Sequence, residues 1–120
     1  MYLLGPEWHQ VDEDHRWMPQ RATLRMGAPE RPGEKLYLSG GTSSDLLQKG
    51  PVTVKVAVNG TALPPVAIHR GEESFELSFP LPDAVVGKVE MKVAVEVSGT
   101  FHAAPDPREF GLHFGVFEVR

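Results

Sequence analysis

The chain has 120 residues, a length typical of one domain, with 16 acidic and 12 basic residues and a net charge of −4. Because no basic surplus is available to neutralise phosphates, the charge balance argues against a nucleic-acid partner or attachment to an anionic membrane surface. The chain contains no cysteine, which excludes disulfides, zinc–thiolate sites and thiol catalysis.

Short runs of alternating apolar and polar residues predict antiparallel strands, each with one face in a core. We expect the runs 52–58, 75–81 and 89–97 to be the central strands, and shorter runs to lie at 22–26 and 36–38. In chain order the apolar positions are Ala22, Leu24, Met26, Leu36, Leu38, Val52, Val54, Val56, Val58, Phe75, Leu77, Phe79, Leu81, Val89, Met91, Val93, Val95 and Val97. No segment carries a sustained helical period.

Turn signals punctuate these runs. Asn59-Gly60 predicts a hairpin that leads from 52–58 into a strand at 63–69. One helical turn is expected at 44–49, capped by a serine and ended by Gly50. The segment 39–44, rich in glycine and serine, lacks the setting of a catalytic serine or a phosphate loop, and we interpret it as a mobile or tightly turned loop.

The last run changes parity. Leu112 and Phe114 share one parity and Phe117 and Val119 the other, so a bulge at Gly115-Val116 is needed to return both sets to the core. Together the runs predict an all-β fold, a single antiparallel β-sandwich with about seven or eight strands and at most one short helical turn.

The densest group of potential metal ligands is His9, Asp12, Glu13, Asp14 and His15. It lacks the glycine and terminal glutamate of a calcium loop, and its histidine spacing is unlike that of zinc sites. We interpret it as a solvated acidic loop and predict no metal or cofactor; a structural calcium on this loop is the alternative. A sandwich of this size offers little room for a deep cleft, so we expect no enzyme.

Three aromatic residues do not fit a core-facing parity: Trp8, Trp17 and Tyr37. An aromatic ring stacks on the apolar face of a sugar, and nearby polar side chains bind the hydroxyls. For Trp17 we favour a structural role as a plug at one end of the sandwich. For Trp8 a binding role and a structural role stand equal.

Three segments together resemble a family of small β-sandwich modules. They are Gly5-Pro6-Glu7-Trp8 followed by Arg16-Trp17-Met18, the strand 52–60 ending in Asn-Gly, and Phe101 followed by Asp106-Pro107-Arg108-Glu109-Phe110-Gly111. Such modules are attached to bacterial glycosyltransferases, sugar-linked methyltransferases and related cell-envelope proteins. The chain departs from the pattern at three positions, where Met18 replaces threonine, Ala103 replaces proline and Phe110 replaces leucine.

The resemblance implies a carbohydrate-binding-like jelly roll. Because aromatic residues of structured appearance follow almost at once after Met1, we expect one domain over residues 1–120 cut from a longer polypeptide, with a short independent cytosolic protein as the alternative. The resemblance also implies a non-catalytic accessory module that binds a glycan. The alternative is an interaction or spacer domain that docks on its parent enzyme or associates with itself. Expected partners are a sugar and the parent's other domains, without nucleic acid and without membrane insertion.

We place the ligand where the segments 8–17 and 102–108 would meet, at one end of the sandwich. Trp8 would offer the stacking face, with Asp12, His15, His102 and Arg108 as hydroxyl partners. Both segments lie outside the predicted strands, where binding residues concentrate.

In addition to Trp17, two residues are predicted to have structural roles. Gly111 would permit a turn into the final strand. Asp106 is held extended before a proline, and Arg108 could pair with Asp106 or with an acid of the loop 12–14, which would lock the two loops together.

Overall fold

Antiparallel strands joined by short turns make up most of the chain, as the alternating runs predict. The computed structural model describes residues 2–9, 11–12, 15–101, 108 and 110–120, with the backbone alone at Tyr2, Val11, Asp12 and His15. In chain order the strands are β1 Tyr2–Leu4, β2 Val11–Asp12, β3 His15–Trp17, β4 Arg21–Gly27, β5 Lys35–Gly41, β6 Val52–Val58, β7 Thr61–Ala62, β8 Val66–Ile68, β9 Ser74–Pro80, β10 Glu90–Val97 and β11 His113–Val119. A short helix, α1 (Ser44–Gln48), joins β5 to β6, and a 3₁₀ turn spans Asp83–Val85. Within these ranges no helix is long and apolar enough to cross a membrane.

The strands form two antiparallel sheets. Sheet 1 has the order β1-β4-β10-β6, with β7 and β8 both paired to the far edge of β6; sheet 2 has the order β2-β3-β11-β5-β9. Eight strands, β3 to β6 and β8 to β11, are divided between the sheets as β3-β11-β5-β9 and β4-β10-β6-β8, which is the strand order of a jelly roll. The predicted all-β sandwich is therefore confirmed.

One face of each sheet is buried in a common core. In β4, β6 and β10 every second side chain is buried, and the intervening ones lie at the surface. Burying one such valine or leucine stabilises the fold by about 1.5–3 kcal/mol. Fully buried members of the core include Leu24, Leu36, Leu38, Val54, Val58, Phe79, Val93 and Leu112.

The hairpin at Asn59-Gly60 is confirmed. Both residues have positive φ, +48° and +85°, and Val58 pairs with Thr61 across the turn. The strand predicted at 63–69 is divided, because Pro64 and Pro65 have no N–H to donate to β6. The chain pairs first as β7 and again as β8 beyond the prolines.

Two other local predictions are also confirmed. The pairing of β11 with β5 shifts between Phe114 and Val116, so a bulge lies where the parity changes and Phe117 is buried. Helix α1 begins after Ser43, whose hydroxyl accepts a hydrogen bond from the backbone N–H of Asp45. The chain leaves the helix at Gly50, which has a φ of +130°.

The interpretation of 39–44 as a loop is wrong in its first half, because Ser39, Gly40 and Gly41 form the end of β5. Gly40 pairs with Phe114 beside the bulge, and a Cβ at this position would overlap the carbonyl of His113. The glycine thus permits a close approach of two paired strands, not a tight turn.

Two predictions about the long runs are also wrong. The run 75–81 was predicted to be central, but β9 lies at the edge of sheet 2 and has β5 as its one neighbour there. Val89 was predicted to face the core, but it precedes β10 and is 94% exposed. The alternating sequence pattern starts at Val89, one residue before Glu90, where the pairing of β10 begins.

Val93, which is fully buried, and Val89, which is exposed, make a matched test of the fold. Val93→Asp places a carboxylate in the fully buried centre of β10, at a cost of several kcal/mol against a total stability of about 5–15 kcal/mol. We expect far-ultraviolet circular dichroism to show that Val93→Asp is unfolded. Val89→Asp should have the same melting temperature as the unmodified protein. A native spectrum and melting temperature for Val93→Asp would contradict the fold.

Candidate functional site

Trp8 lies in the segment that carries the chain from sheet 1 to sheet 2, and its indole contacts both sheets. The indole N–H donates a hydrogen bond of 2.8 Å to the carbonyl of Thr23 in β4. The ring packs edge-on against Phe114 and Phe117 of β11, with centroids 6.0 and 5.7 Å away. Trp8 is only 8% exposed, so the prediction that it offers a stacking face to a ligand is wrong.

Glu7 completes the attachment of this segment to β4. Strand β1 ends at Leu4, and beyond it the Glu7 carboxylate accepts hydrogen bonds from the backbone N–H and the hydroxyl of Thr23. Partial burial opposes ionisation of this carboxyl, but hydrogen bonds from backbone N–H groups and from Thr23, with attraction by Lys92, outweigh burial and lower its pKa. The carboxylate thus supplies the partner of the Thr23 N–H, while the Gly5 N–H donates a hydrogen bond to the Thr23 carbonyl.

Trp17 lies on the outer face of sheet 2 and not at an end of the core. It is paired with His113 of β11, and the two rings are 4.6 Å apart between centroids. Its other edge contacts are with Phe101 at 5.4 Å and Phe110 at 5.5 Å. Trp17 is absent from the buried core cluster and stays partly exposed, so the prediction of a plug between the sheets is wrong.

The flanks of the two segments predicted to hold a ligand do lie together. Phe101 and Phe110 pair through two backbone hydrogen bonds and so close the base of the segment 102–109. The imidazole of His9 lies 5.3 Å from the Phe110 ring, and the exposed guanidinium of Arg108 lies over the same ring at 5.1 Å. Aromatic residues before β2 and before β11 therefore meet beside Trp17.

Four of the predicted residues are not tested by these contacts. The structure gives the backbone alone for Asp12 and His15, which pair with each other across β2 and β3. His102 and Asp106 lie outside the described residues, and their predicted roles stay predictions.

Gly111 has a structural reason that differs from the predicted turn. It is buried, and a Cβ at this position would lie 2.9 Å from Val97 Cγ2 and 3.0 Å from the Pro19 carbonyl. Close packing at the entrance to β11 therefore requires a residue without a side chain.

A glycine lies next to His113 on sheet 2. This neighbour across the strand pair is Gly41, where a Cβ would lie 3.0 Å from His113 Cε1 and Nε2. The same Cβ would lie 2.5 Å from the carbonyl of Glu73, which accepts a hydrogen bond from Thr42 N–H. The absence of a side chain at Gly41 brings the imidazole edge and the backbone of Glu73 next to each other.

Glu73 also lines a polar cavity of about 320 Å³, within the usual size range of ligand pockets. Its lining combines a hydroxyl, an amide, a guanidinium and a carboxylate, those of Ser44, Gln48, Arg70 and Glu73. We refer to these four residues, together with Trp17 and His113, as the Trp17 site. The Trp17 site combines two partly exposed rings with side chains that donate hydrogen bonds, accept them or do both.

The remaining aromatic residue on this face is covered. The guanidinium of Arg120 lies 3.9 Å from the centre of the Tyr37 ring. The same guanidinium pairs with Glu76 at 3.3 Å and with Glu118 at 3.5 Å. Tyr37 therefore has one face occupied.

Sequence reasoning missed most of the Trp17 site. A signal for His113 was present, because it alternates with the inward residues Leu112 and Phe114 and must point outward. No comparable signal marks Gln48 and Arg70, since helix α1 and the turn between β8 and β9 are brought together only by the fold.

In the part of the chain that the structure describes, no three His, Asp or Glu side chains are grouped closely enough to hold a metal ion. Glu13 and Asp14 of the acidic loop lie outside the described residues, as do the side chains of Asp12 and His15. The calcium alternative for this loop is therefore not tested.

Comparison with known proteins gives little beyond this geometry. No family model matches the chain, and the search of curated proteins found no match. Among solved structures, the chain is similar to one titled as a family two carbohydrate esterase from Clostridium thermocellum in complex with cellohexaose, with 10% identity and a TM-score of 0.49. The match covers all of this chain and 33% of that chain. Similarity at this level carries no argument about function.

We expect Trp8 to contribute to the stability of the fold and not to ligand binding. Trp8→Ala removes ring contacts with both sheets and should lower the free energy of unfolding by about 3–5 kcal/mol in urea titrations. Trp8→Phe keeps a ring but loses the bond to the Thr23 carbonyl, and should cost about 1–2 kcal/mol. Equal stability of Trp8→Ala and the unmodified protein would refute the packing described.

Glu7 should make stability depend on pH in a defined direction. Its pKa is lower in the folded chain than the ordinary 4.5, so folding favours the ionised carboxylate. This stabilisation is complete above the ordinary pKa and is lost as the pH falls through the lower folded value. The stability difference between the unmodified protein and Glu7→Gln, measured by urea titration, should therefore be largest near neutral pH and shrink in acid.

Glu30→Gln is the matched control, because the Glu30 side chain forms no hydrogen bond or ion pair with any described residue. Its difference from the unmodified protein should stay small at every pH. A Glu7→Gln difference that is independent of pH would show that the charge of Glu7 does not contribute.

Proposed function

We propose that this chain is a non-catalytic glycan-binding module whose ligand lies at the Trp17 site. The observation that supports the proposal most directly is the pair of partly exposed rings, Trp17 and His113, on the outer face of sheet 2. Glu73, whose backbone lies next to Gly41, connects this pair with the polar cavity that Glu73 lines.

The chemistry of a sugar fits both halves of this site. A pyranose has apolar C–H faces, which gain by contact with an aromatic ring, and a rim of hydroxyls that both donate and accept hydrogen bonds. At the cavity, Arg70 can only donate, the Glu73 carboxylate can only accept, and Gln48 and Ser44 can do both. A hydroxyl-rich ring can satisfy this set, whereas a purely apolar ligand would leave it unpaired.

A binding role is favoured over catalysis by the composition of the cavity. Glycoside hydrolysis ordinarily uses two carboxyl groups on either side of the scissile bond. Among the described residues, the cavity lining provides one carboxyl group, that of Glu73. Attachment to a glycosyltransferase or a cell-envelope protein is the further part of this proposal, and it is supported by the sequence resemblance alone.

The test is a glycan array followed by titration of the ligands that bind. The protein has two tryptophans, so in a Trp8→Phe background the intrinsic fluorescence reports on Trp17 alone. We expect a saturable change in emission with a neutral oligosaccharide. Arg70→Ala should weaken that binding roughly tenfold or more, since loss of an anchoring contact commonly costs about 1–3 kcal/mol, with no change in melting temperature because Arg70 is exposed.

The control is Tyr37→Ala, which removes a ring of the same face that is already covered by Arg120 and should leave affinity unchanged. Trp17→Ala should abolish binding, and Trp17→Phe should retain part of it. Absence of binding across the array, with a stable dimer in light scattering, would instead favour an interaction domain. Binding that is insensitive to both Arg70 and Trp17 would refute the Trp17 site.

A further inference from the structure

The outer face of sheet 1 contains a row of short side chains. Ala94 of β10 pairs with Thr23 of β4 and with Ala57 of β6, and Ala57 pairs in turn with Ala62 of β7. Since register partners share a face, these four side chains form a row that crosses the strands. Neighbouring strands are about 4.8 Å apart, so the row is roughly 14 Å long.

Charged side chains line both sides of this row. On one side, Glu96 lies between its register partners Arg21 and Lys55. On the other side, Lys92 pairs in register with Arg25. The two sides are four residues apart along each strand, or about 13 Å. We call the depression between them the trench.

Two cavities open into the trench. One of about 420 Å³ lies over Ala57, Ala62 and Ala94, with Arg21 and Lys55 in its lining. The other, also about 420 Å³, lies at the Thr23 end against the segment from Leu3 to Pro6. Both are within the size range of ligand pockets, and the Glu7 carboxylate is hydrogen-bonded to the Thr23 hydroxyl at the second one.

The charges at the Ala57 end are available to a ligand. Arg21, Lys55 and Glu96 are exposed, and none of them forms an ion pair with a described residue, although they are adjacent in register. Arg25, by contrast, pairs with Glu90 at 3.6 Å. Two bases against one acid leave this end of the trench positive on a chain whose net charge is −4.

The spacing of these bases favours a sparsely charged ligand. Arg21 and Lys55 are two strands apart, about 10 Å, whereas duplex DNA carries a charge every 1.7 Å or so along its axis. Between them Glu96 would repel a dense polyanion and accept hydrogen bonds from hydroxyls. The alanine floor suits the apolar face of a flat ring.

We propose that the trench binds a polysaccharide that carries carboxylates at intervals, with Arg21 and Lys55 each pairing with a carboxylate and the sugar rings lying over Ala57 and Ala94. This site is on the sheet opposite to the Trp17 site and does not depend on it. The module would then hold an acidic chain on one face independently of any ligand on the other.

The test is calorimetric titration with oligogalacturonate against two matched probes. Its methyl ester has the same chain without the charges, and oligoglutamate has similar charges without sugar rings. We expect the acid to bind and both probes to bind at least about tenfold more weakly, because a charge-assisted contact and ring contact are each lost. Equal binding of oligoglutamate would overturn the proposal in favour of a general anion surface.

Variants locate the binding. Arg21→Gln and Lys55→Gln should each weaken oligogalacturonate binding about tenfold, the usual scale for one charge-assisted contact. Lys35→Gln removes the same charge from sheet 2 and should have no effect. Ala57→Leu fills the trench, leaves all charges unchanged and should abolish binding; its melting temperature shows whether it is folded. Ala62→Leu should have the same effect on binding with less risk to the fold, because Ala62 is exposed.

Failure here is distinguishable from failure of the Trp17 site. Trp17→Ala should leave oligogalacturonate binding unchanged. If Trp17→Ala abolishes that binding and the trench variants do not, the acid lies at the Trp17 site and the trench proposal is wrong. Absence of binding at millimolar oligogalacturonate would overturn it directly.

Discussion

Strand β10 pairs with β4 on one side and β6 on the other, and this double pairing sets the direction of the side chains of sheet 1. If β10 were shifted by one residue relative to β4 and β6, Lys92 and Glu96 would be buried and Val93 would be exposed. Because a buried unpaired charge costs several kcal/mol, the core excludes that register. The same constraint fixes the outer surface, since it brings Ala94 next to Ala57. The trench is thus a consequence of how the core is packed.

Local features of the fold could be predicted wherever their cause lies within a few residues. Asn59-Gly60 is an example, because positive φ at both positions is a property of those residues alone. The bulge near Val116 is another, since the parity change requires it. The order of the strands has no such local cause. The run 75–81 alternates as strongly at the edge of sheet 2 as a central strand would, so its neighbours could not be deduced from it.

The two tryptophans show the same limit at the level of the site. Trp17 precedes Met18, a fully buried residue, so strand alternation places its ring outside the core. Trp8 lies in a turn, where no period applies. Its burial depends on the carbonyl of Thr23 and on Phe114, residues that are distant in sequence and adjacent only after the two sheets have formed. Pattern alone could therefore have identified an exposed Trp17, but not a buried Trp8.

Short side chains shape both proposed binding surfaces. On a sheet the outward side chains stand side by side, so a depression forms only where several of them are small. Ala57 and Ala94 create one across β6 and β10, whereas at Gly41 the Glu73 backbone and the His113 ring approach the place that a side chain would take. These two alanines are separated by more than thirty residues in the chain and become neighbours only through strand pairing. A search for ligand-binding residue types passes over such positions, because what they contribute is space between the charged side chains that would contact the ligand.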